Sequence, residues 1–406
     1  MICGLLGRKL GHSYSPQIHR YLGNYSYELF EKEPDELEYF LKNGPFSGLN
    51  VTIPYKKVVL PYCDQLSPTA EKLGAVNTIV RTTDNRIIGH NTDYFGFKSM
   101  VQKSGLIVSG KKVLILGSGG ASLTAQAVMS ELNANVIVVS RSGIHNYTNL
   151  HNHANASVIV NCTPVGMYPN TGSSPVNLSV FPNLEGVLDM IYNPARTKLL
   201  MDAEDKGLVA MNGLWMLVAQ AKESAEWFLG RHLDDNLMDV VYKNLKCQMQ
   251  NFVLIGMPGS GKSTIAKLLG NKLNRTVVDA DIEIVASTGR SIPDIFANDG
   301  ENAFREIETE VLSELGKKSK LILATGGGCV TRDANYPLLH QNGIIIWIKR
   351  DLSKLPTAGR PLSATIGANK LFAVRKPLYE RFADFSVSND GTPQDAVLEI
   401  IKQLEI

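Results

Sequence analysis

No Cys-x-x-Cys pair occurs in these 406 residues, and the five cysteines (Cys3, Cys63, Cys162, Cys247 and Cys329) are odd in number and widely scattered. That excludes a disulfide framework and a cysteine zinc site, and it suits a reducing cytoplasm. Long apolar runs are missing too. None approaches the roughly 18–20 residues of a membrane span, and Arg8 and Lys9 interrupt the start of the chain before a signal-peptide core could form. Nor is there an excess of one charge. Lys and Arg number 41 against 39 Asp and Glu. A basic nucleic-acid face is therefore excluded, although a local basic pocket is not. Repeats and low-complexity tracts are absent. What remains is ordinary globular composition, 44% hydrophobic and 20% charged. At about 150 residues per domain the length predicts two or three domains.

Glycine is plentiful, with 35 residues, and three clusters each follow a short apolar run. Gly117-Ser118-Gly119-Gly120 follows Lys112–Leu116, Gly256 to Gly261 follows Phe252–Ile255, and Gly326-Gly327-Gly328 follows Leu321–Ala324. Continuous aliphatic runs are the mark of buried parallel strands. Further runs lie at Val136–Val139, Val158–Val160, Val187–Leu188 and Ile344–Ile348, with helical patterns such as Ser122–Leu132 and Ser263–Leu273 between them. Alternating strands and helices predict α/β layers with parallel sheets. The chain before residue 105 alternates as well, with dispersed glycines, and reads as a separate α/β unit. Apolar residues from Leu233 to Leu245 mark one helix face, and polar Lys246–Asn251 follows as a very short linker. The predicted layout is an N-terminal lobe over 1–104, a Rossmann-type lobe over 105–247 whose last helices return to the first lobe, and a phosphate-loop domain over 251–406.

Gly256-Met257-Pro258-Gly259-Ser260-Gly261-Lys262-Ser263 fits G-x-x-x-x-G-K-[ST] in full, with a strand before and a helix after. Such a loop turns backbone N–H groups onto phosphate oxygens; its lysine reaches the β/γ-phosphates and its serine ligates Mg²⁺. Asp279-Ala280-Asp281 ends the next apolar run. Two carboxylates two residues apart face one side of an extended chain. One can hold Mg²⁺ through water and the other can accept a proton from an attacking hydroxyl. Arg305, on a predicted helix, and Arg375 could clamp a small carboxylate. Gly326–Gly328 offers close backbone approach at a strand end. Gly359-Arg360-Pro361-Leu362, in a polar stretch, reads as a lid whose arginine reaches a transferring phosphate.

These motifs, with Gly289–Phe296, Phe304-Arg305-Glu306-Ile307-Glu308 and Arg375-x-Pro-Leu-Tyr, resemble shikimate kinase over residues 251–406. The resemblance implies Asp281, Arg305 and Arg375 for shikimate, with Gly327 and Gly328 beside it. It implies Ser263 and Asp279 for Mg²⁺. Gly256, Gly259, Ser260, Gly261 and Thr264 would hold ATP, and Lys262 and Arg360 would act on the transferred group. One departure is that the stretch from Asp351 to Gly359 is shorter than usual and lacks an arginine expected near adenine.

In the first half, Gly117-Ser118-Gly119-Gly120-Ala121 has the setting of a dinucleotide turn. The next run ends in Ser140-Arg141-Ser142, where an NAD site would prefer Asp or Glu; an arginine between hydroxyls suits the 2′-phosphate of NADP. Upstream, Ser13 and Ser15 stand near a probable helix start, a setting for a carboxylate. Lys56, after Asn50-Val51-Thr52-Ile53-Pro54-Tyr55, and Asp93, ending Gly89-His90-Asn91-Thr92-Asp93, would form an acid/base unit if they met.

This set, with Gly74-Ala75-Val76-Asn77-Thr78, Asn161-x-Thr-Pro-x-Gly-Met, Asp189-Met-x-Tyr192 and Gly213-Leu-x-Met-Leu-Val-x-Gln220, resembles shikimate dehydrogenase over residues 1–247. The resemblance implies Ser13 and Ser15 for the carboxylate, and Thr52, Asn77, Asp93 and Gln220 for ring oxygens. Lys56 with Asp93 would support proton transfer, Tyr192 would line the site, and Gly117, Gly119, Gly120, Ala121, Ser140 and Arg141 would hold NADP. Only 15 residues separate Ser142 from Val158, where a crossover needs at least about 10–12, and Asn146–Asn155 is a poor helix. A trimmed Rossmann half is expected there. His145, His151 and His153 read as solvated imidazoles in a polar loop rather than as metal ligands.

The expectation is a bifunctional enzyme. It would reduce 3-dehydroshikimate to shikimate with NADPH and then phosphorylate shikimate to shikimate 3-phosphate with ATP and Mg²⁺. Its partners would be small molecules, with no nucleic acid and no membrane, and no oligomeric state is encoded in any motif. Two rivals are an NAD-dependent quinate/shikimate dehydrogenase fused to a kinase, which Arg141 opposes, and an inactive metabolite-sensing regulator, which the intact Lys56, Asp93, Lys262 and Asp281 oppose.

Overall fold

The computed structural model describes residues 1–11, 13–355 and 367–406. These fall into two compact units. One comprises 1–165, 174–192 and 199–245, and the other comprises 166–173, 193–198 and 246–406.

The first unit opens with β1 (Ile2–Gly7), α1 (Ser15–Leu22), β2 (Ser26–Glu31), α2 (Leu37–Asn43), β3 (Gly48–Val51), β4 (Gln65–Leu66), α3 (Pro68–Leu73), β5 (Thr78–Arg81), β6 (Ile87–His90) and α4 (Asp93–Ser104). Their sheet runs β2-β1-β3-β5-β6-β4. It is parallel at β1–β2 and β1–β3 and antiparallel at β3–β5 and β5–β6. Leu6, Leu49, Val51 and Ile79 pack with Leu37, Leu41, Phe46 and Tyr55 as its core.

The second lobe of this unit comprises β7 (Lys112–Leu116), α5 (Gly120–Glu131), β8 (Asn135–Val139), β9 (Val158–Asn161), β10 (Gly186–Asp189), α6 (Lys198–Asp205), β11 (Val209–Met211), α7 (Leu214–Leu229) and the part of α8 (Asn236–Met249) up to Leu245. Its sheet, β11-β10-β9-β7-β8, is parallel throughout. Val113 to Leu116 are fully buried, and each such aliphatic side chain stabilises by about 1.5–3 kcal/mol. That is why this strand is legible as an uninterrupted run. Between β8 and β9 there is one short 3-10 turn, Leu150–His153, in place of a crossover helix, so the trimmed Rossmann half is observed. The solvated reading of the histidines needs correction. His153 is buried and its Nε2 lies 3.0 Å from Nδ1 of His145, because the turn folds the two rings together.

α8 also differs from expectation. The helix starts at Asn236 and continues through Lys246 to Met249, leaving Gln250 alone before the next strand. Leu245 and Met249, four residues apart, are both buried and carry the apolar face one turn further.

The second unit holds β12 (Asn251–Ile255), α9 (Lys262–Leu273), β13 (Thr276–Asp279), α10 (Ala280–Thr288), α11 (Ile292–Asn298), α12 (Gly300–Lys317), β14 (Leu321–Ala324), α13 (Asn335–His340), β15 (Gly343–Lys349), α14 (Ala368–Phe382), β16 (Phe385–Ser388) and α15 (Pro393–Leu404). The sheet β13-β14-β12-β15-β16 is wholly parallel. One face packs Val253, Ile255, Leu323, Ile345 and Trp347; the other packs Phe252, Leu254, Ile322, Ile346 and Ile348. The strand carboxyl ends therefore share one edge, where loops meet ligands in open parallel sheets. Among the described residues, no helix is long and apolar enough to cross a membrane.

Candidate active sites

In the first unit the chain leaves β3 through Thr52 and the Ile53–Pro54 cis peptide and reaches Lys56. Asp93 opens α4. The two meet: Lys56 Nζ lies 2.6 Å from Asp93 Oδ2, with the lysine side chain 35% and the carboxylate 18% exposed. The pair is thus half-buried and still reachable. Asn77 fixes the carboxylate's position indirectly. Its Oδ1 accepts the Thr92 main-chain N–H at 2.7 Å and its Nδ2 donates to Thr92 Oγ1 at 3.1 Å. The Ser224 hydroxyl lies 2.8 Å from Thr78 Oγ1, 2.9 Å from Thr92 Oγ1 and 2.8 Å from Asn50 Nδ2, and donates to the Gln220 carbonyl. α7 is thereby tied to the turn that carries Asp93. A Cβ on Gly96 would sit 2.8 Å from the Met216 carbonyl and 2.9 Å from Cβ of Gln220, so Gln220 stands where α7 packs tightly on α4.

Ser13 and Ser15 flank Tyr14 at the start of α1, and Ser13 Oγ accepts the Ser15 N–H at 3.2 Å. Tyr192 packs edge-on to Tyr14 with centroids 6.3 Å apart, and burial pushes its phenol upward. Both serines, Thr52 and Tyr192 are half-buried. Asn50, Thr78 and Thr92 belong to this network, although the motifs they stand in assign them no role. Ser224 carried no signal beyond being a small polar residue one turn after Gln220.

The dinucleotide turn lies where the chain departs from β7 to β8 on one side and β9 on the other, the switch point of the sheet. A Cβ on Gly117 would lie 3.2 Å from the Cys162 carbonyl at a φ of +107°, a place suited to glycine. Gly119 and Gly120 face open space at the start of α5, and Ala121 is exposed beside them. Ser140 and Arg141 follow β8; Arg141 is exposed and makes no ion pair among the described residues. These features fit a pyrophosphate at a helix N-terminus and an extra anion at Arg141.

In the second unit a cavity of about 640 Å³ is lined by the phosphate loop, Asp279, Asp281, Arg305, Gly326–Gly328 and Arg375. Gly256, Gly259 and Gly261 have positive φ, so the loop curls inward. Ser260 is buried, while Thr264 is exposed on the cavity wall. Lys262 Nζ donates to the carbonyls of Gly256 and Met257 at 2.9 and 3.1 Å. Ser263 Oγ donates to Asp279 Oδ2 at 2.7 Å, so the hydroxyl and carboxylate that would hold Mg²⁺ are adjacent, a hard-oxygen pair fitting that ion.

The two aspartates do not share one extended strand, which corrects the sequence reading. Asp279 ends β13 and caps α10, accepting the Asp281 N–H at 3.1 Å, and Asp281 sits in the first helical turn. An aspartate followed by a helical sequence is an N-cap, and that won over the β pattern. Both side chains still line the cavity. Burial raises the Asp281 carboxyl above the usual carboxylate range, Asp279 adds to this, and Lys262 and Arg305 oppose it.

Arg305 and Arg375 are 6% and 3% exposed. Arg305 pairs with Glu308 at 2.7 Å and with Glu301 at 3.1 Å; Arg375 donates to the Gly327 carbonyl at 3.1 Å. Each glycine of the third cluster gives room to a neighbour. A Cβ on Gly326 would lie 2.6 Å from Glu308 Oε1 and 2.9 Å from Asp281 Oδ1, one on Gly327 would meet Pro258, and one on Gly328 would strike the Arg305 guanidinium. Glu308, fully buried, orients Arg305 and had no role assigned from sequence. Arg360 lies outside the described residues.

A mixed-sheet lobe with a Lys–Asp pair beside a parallel dinucleotide lobe, and a phosphate-loop sheet with two buried arginines, define an NADP-type dehydrogenase joined to a P-loop kinase. Comparison with known proteins narrows this. The shikimate dehydrogenase substrate binding domain model matches residues 5–79, and the shikimate kinase model matches residues 258–405. A curated shikimate dehydrogenase (NADP(+)) from Clostridium perfringens is 35% identical over 267 residues, covering 60% of this chain and 98% of that protein. Shikimate dehydrogenase 1 of Peptoclostridium difficile matches in structure with TM-score 0.55 and 39% identity, over 61% of this chain and 98% of that one. A chorismate mutase/shikimate 5-dehydrogenase fusion from Clostridium acetobutylicum matches with TM-score 0.58 and 37% identity, over 60% and 96%.

The chain belongs to the shikimate dehydrogenase family and carries a shikimate kinase domain behind it. It is a bifunctional shikimate-pathway enzyme.

Proposed function

We propose that residues 1–104 bind 3-dehydroshikimate, residues 105–247 bind NADPH, and residues 251–406 phosphorylate the shikimate formed. The observation that carries the reading is the 2.6 Å Lys56–Asp93 contact, made by residues 37 positions apart and held by the Asn77–Thr92–Ser224 network. NADPH, when bound, supplies a hydride to the ketone. Lys56 Nζ then delivers the proton that the alkoxide needs, while Asp93 holds Nζ in place and accepts from a neighbouring ring hydroxyl. Ser13 and Ser15 bind the carboxylate. Thr52, Asn77 and Gln220 orient the ring, and Tyr192 closes its edge. Gly117, Gly119, Gly120 and Ala121 admit the pyrophosphate, and Ser140 and Arg141 select the 2′-phosphate, which disfavours NAD.

In the kinase, ATP with Mg²⁺ supplies the phosphoryl group and the charge that offsets it. Asp281, its carboxyl raised above that of an ordinary aspartate by burial, takes the proton of the attacking hydroxyl. Arg305 and Arg375 clamp the shikimate carboxylate beside Gly327 and Gly328. Gly256, Gly259, Ser260, Gly261 and Thr264 hold the nucleotide, Lys262 and Arg360 neutralise the transferred group, and Ser263 and Asp279 hold the metal. The scattered thiols support a cytoplasmic setting.

The test is to assay NADPH oxidation on 3-dehydroshikimate and ATP-dependent phosphorylation of shikimate separately on the purified chain. Both activities, with NADPH favoured over NADH by kcat/KM, are expected. Preference for NADH, or absence of either activity, refutes the reading.

A further inference from the structure

Arg350 stands directly after β15, at the carboxyl edge of the kinase sheet. β15 is the hydrogen-bonded neighbour of β12, which feeds the phosphate loop, with Ile255 opposite Trp347. The strand end is therefore held against the loop. The Arg350 side chain lines the same cavity as Lys262, Ser263 and Thr264. Its Nη1 donates to the Gly259 carbonyl, in the middle of the loop, at 3.2 Å. Its Nε is buried with no hydrogen-bond partner among the described residues, and no carboxylate there forms an ion pair with the guanidinium. Asp390 feels its charge, but that carboxylate accepts from the Asp351 N–H and the Ser388 hydroxyl instead.

A guanidinium has five donors, and leaving them unmet is costly. Here one is spent on the loop and the plane is fixed beside the phosphate cradle. Arg305 and Arg375, by contrast, face Gly328 and Gly327, away from Gly259 in sequence and partners. The unmatched cation therefore belongs to the nucleotide end of the cavity.

We propose that Arg350 is a nucleotide-binding residue of the kinase, tied to the phosphate loop through Gly259 and presenting its free N–H groups to the polyphosphate of ATP and ADP. The inference rests on the kinase reading above. Phosphate oxygens are the ligand because they are acceptors that match an unpaired guanidinium in charge and geometry.

The test compares the full chain with R350A and R350K. Affinities for ADP, inorganic tripolyphosphate and shikimate are measured by titration calorimetry at two salt concentrations, with the dehydrogenase rate as a check on folding. Wild-type binding of ADP tests the kinase reading; the variant-to-wild-type ratio tests this one. R350A is expected to weaken ADP and tripolyphosphate by about tenfold or more, to flatten the salt dependence, and to leave shikimate affinity and the dehydrogenase rate unchanged. R350K should recover part of the loss. Unchanged ADP affinity overturns the proposal. So does equal weakening of shikimate, which marks a purely structural prop, or a loss confined to ADP with tripolyphosphate unaffected, which marks contact with the base.

Discussion

Replacing Lys56 by methionine removes one atom from the chemistry and little from the fold. Nζ is the only group of Lys56 that meets Asp93, at 2.6 Å, and the pair is 35% and 18% exposed. A partly exposed ion pair contributes less than about 1 kcal/mol to stability. Asp93 also keeps its place, because it opens α4 at the favourable end of the helix dipole and follows Thr92, which Asn77 holds. Tm should therefore move by only a few degrees. Loss of a positioned proton donor is a different matter: general acid–base catalysis is worth about 10²–10⁴ in rate, or roughly 3–5 kcal/mol of barrier. K56M should lower kcat for NADPH oxidation by that factor with KM for 3-dehydroshikimate within about threefold, since the proposed ring contacts remain. Steady-state rates on the full chain measure this, with the kinase rate of the same molecule as the internal control. A kcat within tenfold of wild type, or a loss carried entirely by KM, would refute the assignment of the proton to Lys56.

Four further outcomes follow from the two sites. G328A places a methyl group against the Arg305 guanidinium; KM for shikimate in the kinase reaction should rise at least about tenfold while the dehydrogenase is unaffected, and an unchanged KM would count against the clamp. Because burial raises the Asp281 carboxyl and the base must be ionised to accept a proton, the acid limb of the kinase kcat–pH profile should lie above the usual carboxylate range, with activity lost as pH falls through it. D281N should remove most activity, by about 10² or more, and full activity in that variant would contradict the role. R141A should lower kcat/KM for NADPH by about tenfold and leave NADH nearly unchanged; an equal loss for both cofactors would show that Arg141 does not read the 2′-phosphate.

The sequence was most readable where burial is complete. Lys112–Leu116 and Leu321–Ala324 match β7 and β14 residue for residue, because Val113–Leu116 and Leu321–Ala324 are covered on both faces and leave no polar position inside the run. The phosphate loop was readable because its function requires fixed glycines. Contacts across long separations were not. Lys56 and Asp93 meet only once β3, β5 and β6 pair. Asp281 was misplaced because alternation suits a strand as well as a capped helix start, and Asp279 chose the cap. The lengthened α8 shows the same limit: Met249 belongs to its buried face, yet the polar residues around it look like linker. Ser224 and Arg350 gave no signal, since a buried hydroxyl on a helix and a cation after a strand acquire meaning only from their neighbours.

Bifunctionality is tested by a one-pot reaction of the single purified chain with 3-dehydroshikimate, NADPH, ATP and Mg²⁺, following NADPH oxidation and shikimate 3-phosphate together. Both should proceed in the wild-type chain, K56M should slow both by about 10²–10⁴, and adding shikimate to K56M should restore phosphorylation alone. Shikimate 3-phosphate formed by K56M without added shikimate at a rate within about tenfold of wild type, or none formed by the wild-type chain, would contradict this.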